Sequence, residues 1–113
     1  MIHMNNMLEY EIITSESDIN SYPIHMNTTF YIKNPSDIQK NYKVGIFVVS
    51  FLSDKIYPCK LESKLTNNKI DCFDKDSLQN IILEELETDE TKQKLYNILR
   101  LFYSEEEIKN NIN

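Results

Sequence analysis

The chain has 113 residues, which is enough for one domain with its own hydrophobic core, and its formal net charge is −6. Hydrophobic residues make up 41% of it and charged residues 27%, a composition that excludes a disordered segment. Gly45 is the only glycine, which excludes the glycine-rich loops that hold nucleotide phosphates. We therefore predict a single domain over residues 1–113, with a β-meander at 8–73 and a helical part at 74–113.

The predicted location is the cytoplasm of the cell that makes or hosts the protein. The longest apolar run, "VGIFVVSFL", has the length of a strand and falls short of the roughly 18 residues of a membrane span. The N-terminus "MIHMNNMLEY" lacks the basic region and hydrophobic core of a signal peptide. Cys59 and Cys72 are too few for a disulfide scaffold, so we expect reduced thiols that pack as small hydrophobic groups. No membrane partner is expected.

Two strands are predicted before the centre of the chain. The stretch "LEYEIIT" alternates apolar and acidic residues with the period of a half-buried strand. A loop is predicted over "SESDINSYP", and "NTTFYIK" follows as a second strand because it is rich in β-branched and aromatic residues. The sequence "NPSD" ends that strand, and a short helical turn is predicted at Ser36–Lys40.

The strongest predicted strand is "YKVGIFVVSFL", and a two-residue turn at Ser53-Asp54 leads from it into "KIYPCKLESKL". In the simplest register for this turn, the inward residues Val44, Ile46 and Val48 lie opposite Ser63, Leu61 and Cys59. A second tight turn at Asn67-Asn68 adds another short strand and places Cys72 diagonal to Cys59. Both turns indicate the same core face.

The other face of this central hairpin is also apolar. It would carry Phe47, Val49 and Phe51, together with Ile56 and Pro58 across the ladder. We favour the interpretation that the N-terminal strand or a helix covers these residues, which makes the sheet buried on both faces. The alternative is that they form a docking or dimer surface.

After Phe73 the period of the apolar residues changes to that of helices. We predict a first helix capped by Asp76 with Gln79, a second capped by Thr88, and a third that begins at Ser104. The predicted apolar stripes are Leu78, Ile81, Ile82 and Leu86 on the first helix, and Leu95, Ile98, Leu99 and Phe102 on the second. The predicted fold is therefore α+β, an antiparallel meander of four to five strands followed by two to three helices packed on one face.

Patterns of residues that perform catalysis or bind metals are missing from the sequence. His3 and His25 do not have metal-ligand spacing with the cysteines, and neighbouring carboxylates on a helix diverge instead of facing each other across a cleft. The lysines are dispersed singly, and the net charge is negative, which disfavours direct binding of nucleic acid. We expect no cofactor, and an enzyme without a recognisable motif is the least favoured of three function classes.

Acidic residues are concentrated around the two predicted helix junctions: Glu84, Glu85, Asp89, Glu90, Glu105, Glu106 and Glu107. The block "SEEEI" is explained locally, because Ser104 and Glu107 form a capping box and acids in a first turn are favoured by the helix dipole. These residues could in addition form one negative surface that steers the protein toward basic partners.

These observations predict a small acidic non-enzymatic protein–protein interaction module. An abundance of Asn, Ile and Lys indicates an AT-rich genome, and together with the size and acidity it favours an inhibitor or immunity-type factor from a phage or mobile element. Its expected partner is a basic nucleic-acid-binding defence protein, such as a CRISPR effector. The alternative is a homo-oligomer, an assembly or chaperone-like subunit that associates through the central hairpin face. Strands followed by helices is also the element order of SecB-type export chaperones, although no motif here is shared with them.

Overall fold

The computed structural model describes residues 8–18, 22–34 and 43–111. Five strands precede three helices, which confirms the predicted α+β class. The elements are β1 (Glu9–Asp18), β2 (His25–Lys33), β3 (Lys43–Leu52), β4 (Lys55–Ser63), β5 (Lys69–Cys72), α1 (Lys75–Glu87), α2 (Asp89–Phe102) and α3 (Glu105–Asn111). The helical turn predicted at Ser36–Lys40 lies outside the described residues.

The strands form one antiparallel sheet in the order β1-β2-β3-β4-β5, which confirms the meander. β1 is longer than predicted, because it continues to Asp18 through residues that we expected to form a loop. There Glu16 pairs with Met26, and the hydroxyls of Thr14 and Thr28 lie 2.9 Å apart. Pairing with β2 thus overrides the weak strand propensity of Ser, Glu and Asp.

The hairpin of β3 and β4 departs from the predicted register beyond its turn. The turn has the predicted two residues, since Leu52 pairs with Lys55. However, the next pair is Ser50 with Lys60. From one pair to the next, the chain advances two residues on β3 but five residues on β4. Pro58 lies in this longer stretch, and because proline has no N–H to donate to a ladder, it occurs at bulges and edges rather than inside paired strands. This bulge displaces all further pairs by three residues.

An odd displacement exchanges the two faces of β3 relative to β4. Cys59, Leu61 and Ser63 on β4 keep the predicted inward face. Phe47 and Val49 consequently point toward the helices and are only 3% and 6% exposed, and Phe51 is partly buried. Val48, which was predicted to point inward, is only partly buried, whereas Ile46 is 7% exposed and Val44 packs against the core, as predicted. The prediction that Phe47, Val49 and Phe51 point away from the helices is therefore wrong. Phe47 and Val49 are covered because they lie on the core face, so the favoured interpretation of a sheet buried on both faces is not confirmed.

The register of β4 and β5 also differs from the prediction, with a smaller consequence. Leu61 pairs with Ile70 and Cys59 with Cys72, because the connection is longer than two residues and includes Asn67 with a φ of 63°. The displacement is four residues, an even number, so the core face of β5 is the predicted one. The two cysteines are directly opposed instead of diagonal, and both are buried and free.

Local sequence determines where the helices begin. α1 starts two residues earlier than predicted, because its N-cap is Asp74 and not Asp76. Ser77 N–H donates to the Asp74 carboxylate at 2.7 Å. For α2 the predicted cap Thr88 is confirmed. At α3, Ser104 N–H donates to Glu107 at 3.0 Å and Glu107 N–H donates to Ser104 Oγ at 3.2 Å, which confirms the predicted capping box.

The core lies between the helices and one face of the sheet. The most deeply buried apolar side chains come from both layers: Ile32, Leu61, Cys72, Leu99 and Ile108. The predicted stripes of α1 and α2 all belong to this core or pack against it. The sheet face below the helices is therefore buried over β3, β4 and β5.

Candidate functional site

The helices leave the β1 end of this sheet face open. Tyr10 pairs with the buried Ile32, and Ile12 pairs with Phe30, so both β1 residues lie on the core face of the sheet. Even so, Tyr10 is 69% exposed and Ile12 is 62% exposed. The apolar face therefore continues from the core to the surface at β1.

A groove of about 450 Å³ runs along this open part, between the β1 and β2 side and the helices. We call it the β1 groove. Its strand wall includes Tyr10, Ile12 and Phe30, and its helix wall includes Ile82, Leu86 and Leu95. The buried Ile32 and Phe47 lie at its base. Because its lining is almost entirely apolar, the β1 groove is suited to binding apolar side chains.

The outer edge of β1 borders the groove. β1 is the first strand in the sheet, and within residues 8–18, 22–34 and 43–111 no strand pairs with its outer side. A strand in this position presents alternate backbone N–H and C=O groups that lack ladder partners. Natural edge strands are usually short or carry lysine or proline, yet β1 has ten residues and contains neither. Within the described residues, the outward backbone N–H and C=O groups of β1 are therefore available to pair with another strand.

This edge is acidic. β1 contains Glu9, Glu11, Glu16 and Asp18 and no basic residue. Glu11 is compensated from the neighbouring strands, because its carboxylate lies 3.8 Å from Lys33 Nζ and 3.2 Å from Lys43 Nζ. Glu9 and Glu16 are exposed. The exposed carboxylates of Glu9 and Glu16 thus favour positively charged groups beside this strand.

The residues predicted to form an apolar docking patch do not come together. Phe47 and Val49 are in the core, while Ile56 on β4 is 54% exposed and Pro58 is also exposed. Phe51 and Pro58 instead line a second, more open cleft of about 720 Å³ near the β3–β4 turn. The patch was predicted from an unbulged register, and the bulge on β4 removes it.

Glu85 was predicted as a surface acid, and this prediction is wrong. It is 6% exposed, and it accepts hydrogen bonds from Thr66 Oγ1 at 3.1 Å and from Asn68 Nδ2 at 3.0 Å. Both donors belong to the connection between β4 and β5. Glu85 therefore anchors that connection to α1 and takes no part in a partner surface.

The other predicted acids are exposed: Glu84, Asp89, Glu90, Glu105, Glu106 and Glu107. Asp89 and Glu90 begin α2 whereas Glu105 follows its end. The 14 residues of α2 span about 21 Å, so at physiological salt, with a Debye length of about 8 Å, the two groups act on a partner largely independently. Glu90 pairs with Lys94 at 3.4 Å and Glu105 with Arg100 at 3.5 Å, which reduces the net charge of each group. A single negative surface formed by these acids stays a prediction.

The described residues contain no cluster of side chains typical of a metal site. Nowhere in this part of the chain do three His, Cys, Asp or Glu side chains meet as metal ligands would. Burial and the neighbouring Cys59 raise the pKa of Cys72 to about 11, so this thiol stays protonated near neutral pH and is a poor nucleophile. None of the helices described is long and apolar enough to cross a membrane.

Fold and site define this chain as an α+β protein whose meander sheet has one open, acidic edge beside an apolar groove. Comparison with protein-family models, with curated proteins and with solved structures gave no match. Its function is therefore inferred from its own residues.

Sequence reasoning did not identify the β1 groove, although part of its signal was visible. The alternation of Tyr10 and Ile12 with Glu9 and Glu11 correctly gave one apolar face to β1. That pattern predicts which residues share a face, but it does not tell how far the helices extend across the sheet. The exposure of Tyr10 and Ile12 depends on this coverage.

Proposed function

We propose that the protein is a small, acidic, non-enzymatic protein–protein interaction module that binds its partner at the β1 groove. The observation that carries the proposal is the exposure of Tyr10 and Ile12 on a face that is continuous with the hydrophobic core. Large contiguous apolar surface is costly to leave in water, and where it is present in a folded domain it commonly serves recognition.

The partner that we propose is a basic protein. The net charge of −6 and the acidic residues of β1 both support attraction to a positively charged surface. Nucleic-acid-binding proteins have such surfaces, so the proposal includes an inhibitor or immunity-type factor from a phage or mobile element that acts on a defence protein such as a CRISPR effector. The cytoplasm is the proposed site of this encounter.

The alternative of an oligomeric or chaperone-like subunit that associates through the central hairpin face has less support. It requires Phe47 and Val49 at the surface, and both are buried below the helices. Ile56 and Pro58 are exposed, but without those neighbours they do not form a contiguous patch.

The proposal is tested by photo-crosslinking in the cells that make the protein. A benzophenone amino acid replaces Tyr10 in one variant and Leu101 in another, because Leu101 is similarly exposed, at 68%, but lies on α2. We expect a discrete adduct from position 10 that is absent from position 101 and is lost when Ile12→Lys is added. Equal labelling from the two positions, or none from position 10, would contradict the proposed function.

A further inference from the structure

We infer that the partner contributes an extended segment with alternating basic and apolar residues, which adds to the sheet as a sixth strand along the outer edge of β1. This inference rests on the proposed function, and it specifies how the β1 groove is occupied. The apolar side chains of the added strand lie over the groove, and its basic side chains lie on the opposite face of the sheet.

The backbone of β1 supports strand addition. Its ten residues form a longer edge than the four residues of β5 at the other side of the sheet. Pairing with an extended segment satisfies the outward N–H and C=O groups without any change in the fold, and such pairing is a recurrent mode of peptide recognition. The bulge of β1 lies at Glu16–Asp18, so most of the strand is regular.

The side chains of β1 determine the pattern of the added strand. Tyr10 and Ile12 point to the groove side, whereas Glu9 and Glu11 point to the other face, as their pairing with Lys33 and Tyr31 shows. Directly opposed residues of neighbouring strands share a face and interact there. Glu16, in the same register as Tyr10 and Ile12, lies on the groove side toward the far end of the strand. A segment that alternates apolar and basic residues therefore extends the groove on one face and meets Glu9 and Glu11 on the other.

Charge disfavours pairing of the β1 edge with β1 of a second copy of the chain. Two copies paired edge to edge would bring together two strands with four acids each and no basic residue in either. Each copy also has a net charge of −6, which opposes association. With a basic segment, the interaction between the paired strands and the interaction between the two molecules both become attractive. The acidic edge thus disfavours self-pairing and favours a foreign strand.

The test uses defined peptides and the full chain. The probe is an eight-residue peptide that alternates lysine and valine, capped at both ends. One control has the same composition in two blocks, four lysines and then four valines, and the other alternates glutamate and valine. The measurement is hydrogen exchange of the individual β1 amides by NMR. With the alternating lysine probe, we expect every second amide of Glu9–Asp18 to exchange at least about tenfold more slowly, with little change from either control.

Variants of the edge make the test specific. Glu9→Lys with Glu16→Lys changes two exposed side chains, so circular dichroism is expected to show an unchanged fold. This variant should lose the protection by the lysine probe and gain protection by the glutamate peptide. If this variant does not fold, comparison of the three peptides on the unchanged chain still tests whether a basic strand adds to β1.

The possible failures are distinguishable. Probe binding that shifts the signals of Tyr10 and Ile82 without slowing the β1 amides would overturn strand addition but leave the groove as the binding surface. An absence of both peptide binding and the crosslink at position 10 would overturn the proposed function as well. If the β1 amides become protected with rising protein concentration alone, and the hydrodynamic mass doubles, the occupant is a second copy and the basic segment is excluded.

Discussion

Cys59 and Cys72 face each other directly across β4 and β5, and both thiols are free and buried in the core. A cysteine pair in this position packs as two small hydrophobic groups. Burial disfavours the thiolate, and each thiol further disfavours ionisation of its neighbour once one is charged. The free energy of unfolding is therefore expected to fall at high pH, where these thiols ionise.

The first prediction concerns this pH dependence. The pKa of Cys72 is about 11 in the folded protein and 9.0 for an ordinary thiol, so the unfolded state loses its proton first. The stability from the protonated thiol is fully present below pH 9 and is lost as the pH rises toward 11. Urea unfolding between pH 7 and 11 should show a steeper loss of unfolding free energy for the unchanged chain than for Cys72→Ala. Parallel curves would contradict the prediction.

The second prediction concerns Glu85. Its replacement by alanine leaves Thr66 and Asn68 without their buried acceptor, and we expect a loss of about 2 to 3 kcal/mol of unfolding free energy. The neighbouring Glu84 is exposed and provides the matched control: Glu84→Ala should change the unfolding free energy by less than about 0.5 kcal/mol. Chemical denaturation measures both. Equal effects of the two substitutions would contradict the anchoring role of Glu85.

The third prediction tests the register of the β3–β4 hairpin. Because Phe47 is in the core, Phe47→Ala should cost about 3 to 5 kcal/mol, and Phe47→Lys should prevent folding. In the unbulged register the same residue would be on the surface and tolerant of lysine. Ile56→Lys, at an exposed position of the same hairpin, is the control and should fold normally. Thermal unfolding monitored by circular dichroism distinguishes the two registers.

The fourth prediction concerns the start of α3. Hydrogen bonds from the backbone and side chain of Ser104 lower the pKa of Glu107 below its ordinary value. The associated stability is present above the unfolded pKa of Glu107 and is lost as the pH falls through the folded pKa. Ser104→Ala should cost about 1 kcal/mol through loss of the cap. It should raise the pKa of Glu107 only part of the way to that of a free glutamate, because the backbone N–H of residue 104, the larger cause of the lowered pKa, is retained. NMR titration of the carboxyl carbon measures the pKa, and an unchanged stability together with an unchanged pKa would show that the Ser104 side chain takes no part in a capping box.

Features that depend on neighbouring residues were predicted well from the sequence. The cap of α2 at Thr88, the capping box of Ser104 with Glu107 and the turn at Ser53-Asp54 each depend on a few consecutive residues. The change from a two-residue period to a helical period at Phe73 is local in the same sense. These signals were sufficient for the fold class and the order of the elements.

Features that depend on distant residues were missed. The faces of β3 depend on the bulge opposite it, and the only local sign of that bulge is Pro58 inside a predicted strand. The burial of Glu85 depends on donors in a connection that lies 17 to 19 residues away along the chain. The β1 groove depends on where α1 and α2 lie across the sheet, which alternation within β1 does not encode.

The unequal lengths of β1 and β5 also determine the stoichiometry of strand pairing. A sheet with two long open edges can add strands at both sides and polymerise into fibres. Here the far edge has only four residues, and it carries the exposed Lys69 and Asp71. A strand added at β1 consequently finds no comparable edge on the opposite side through which growth could continue. The strand addition that we propose therefore ends with one partner for each chain.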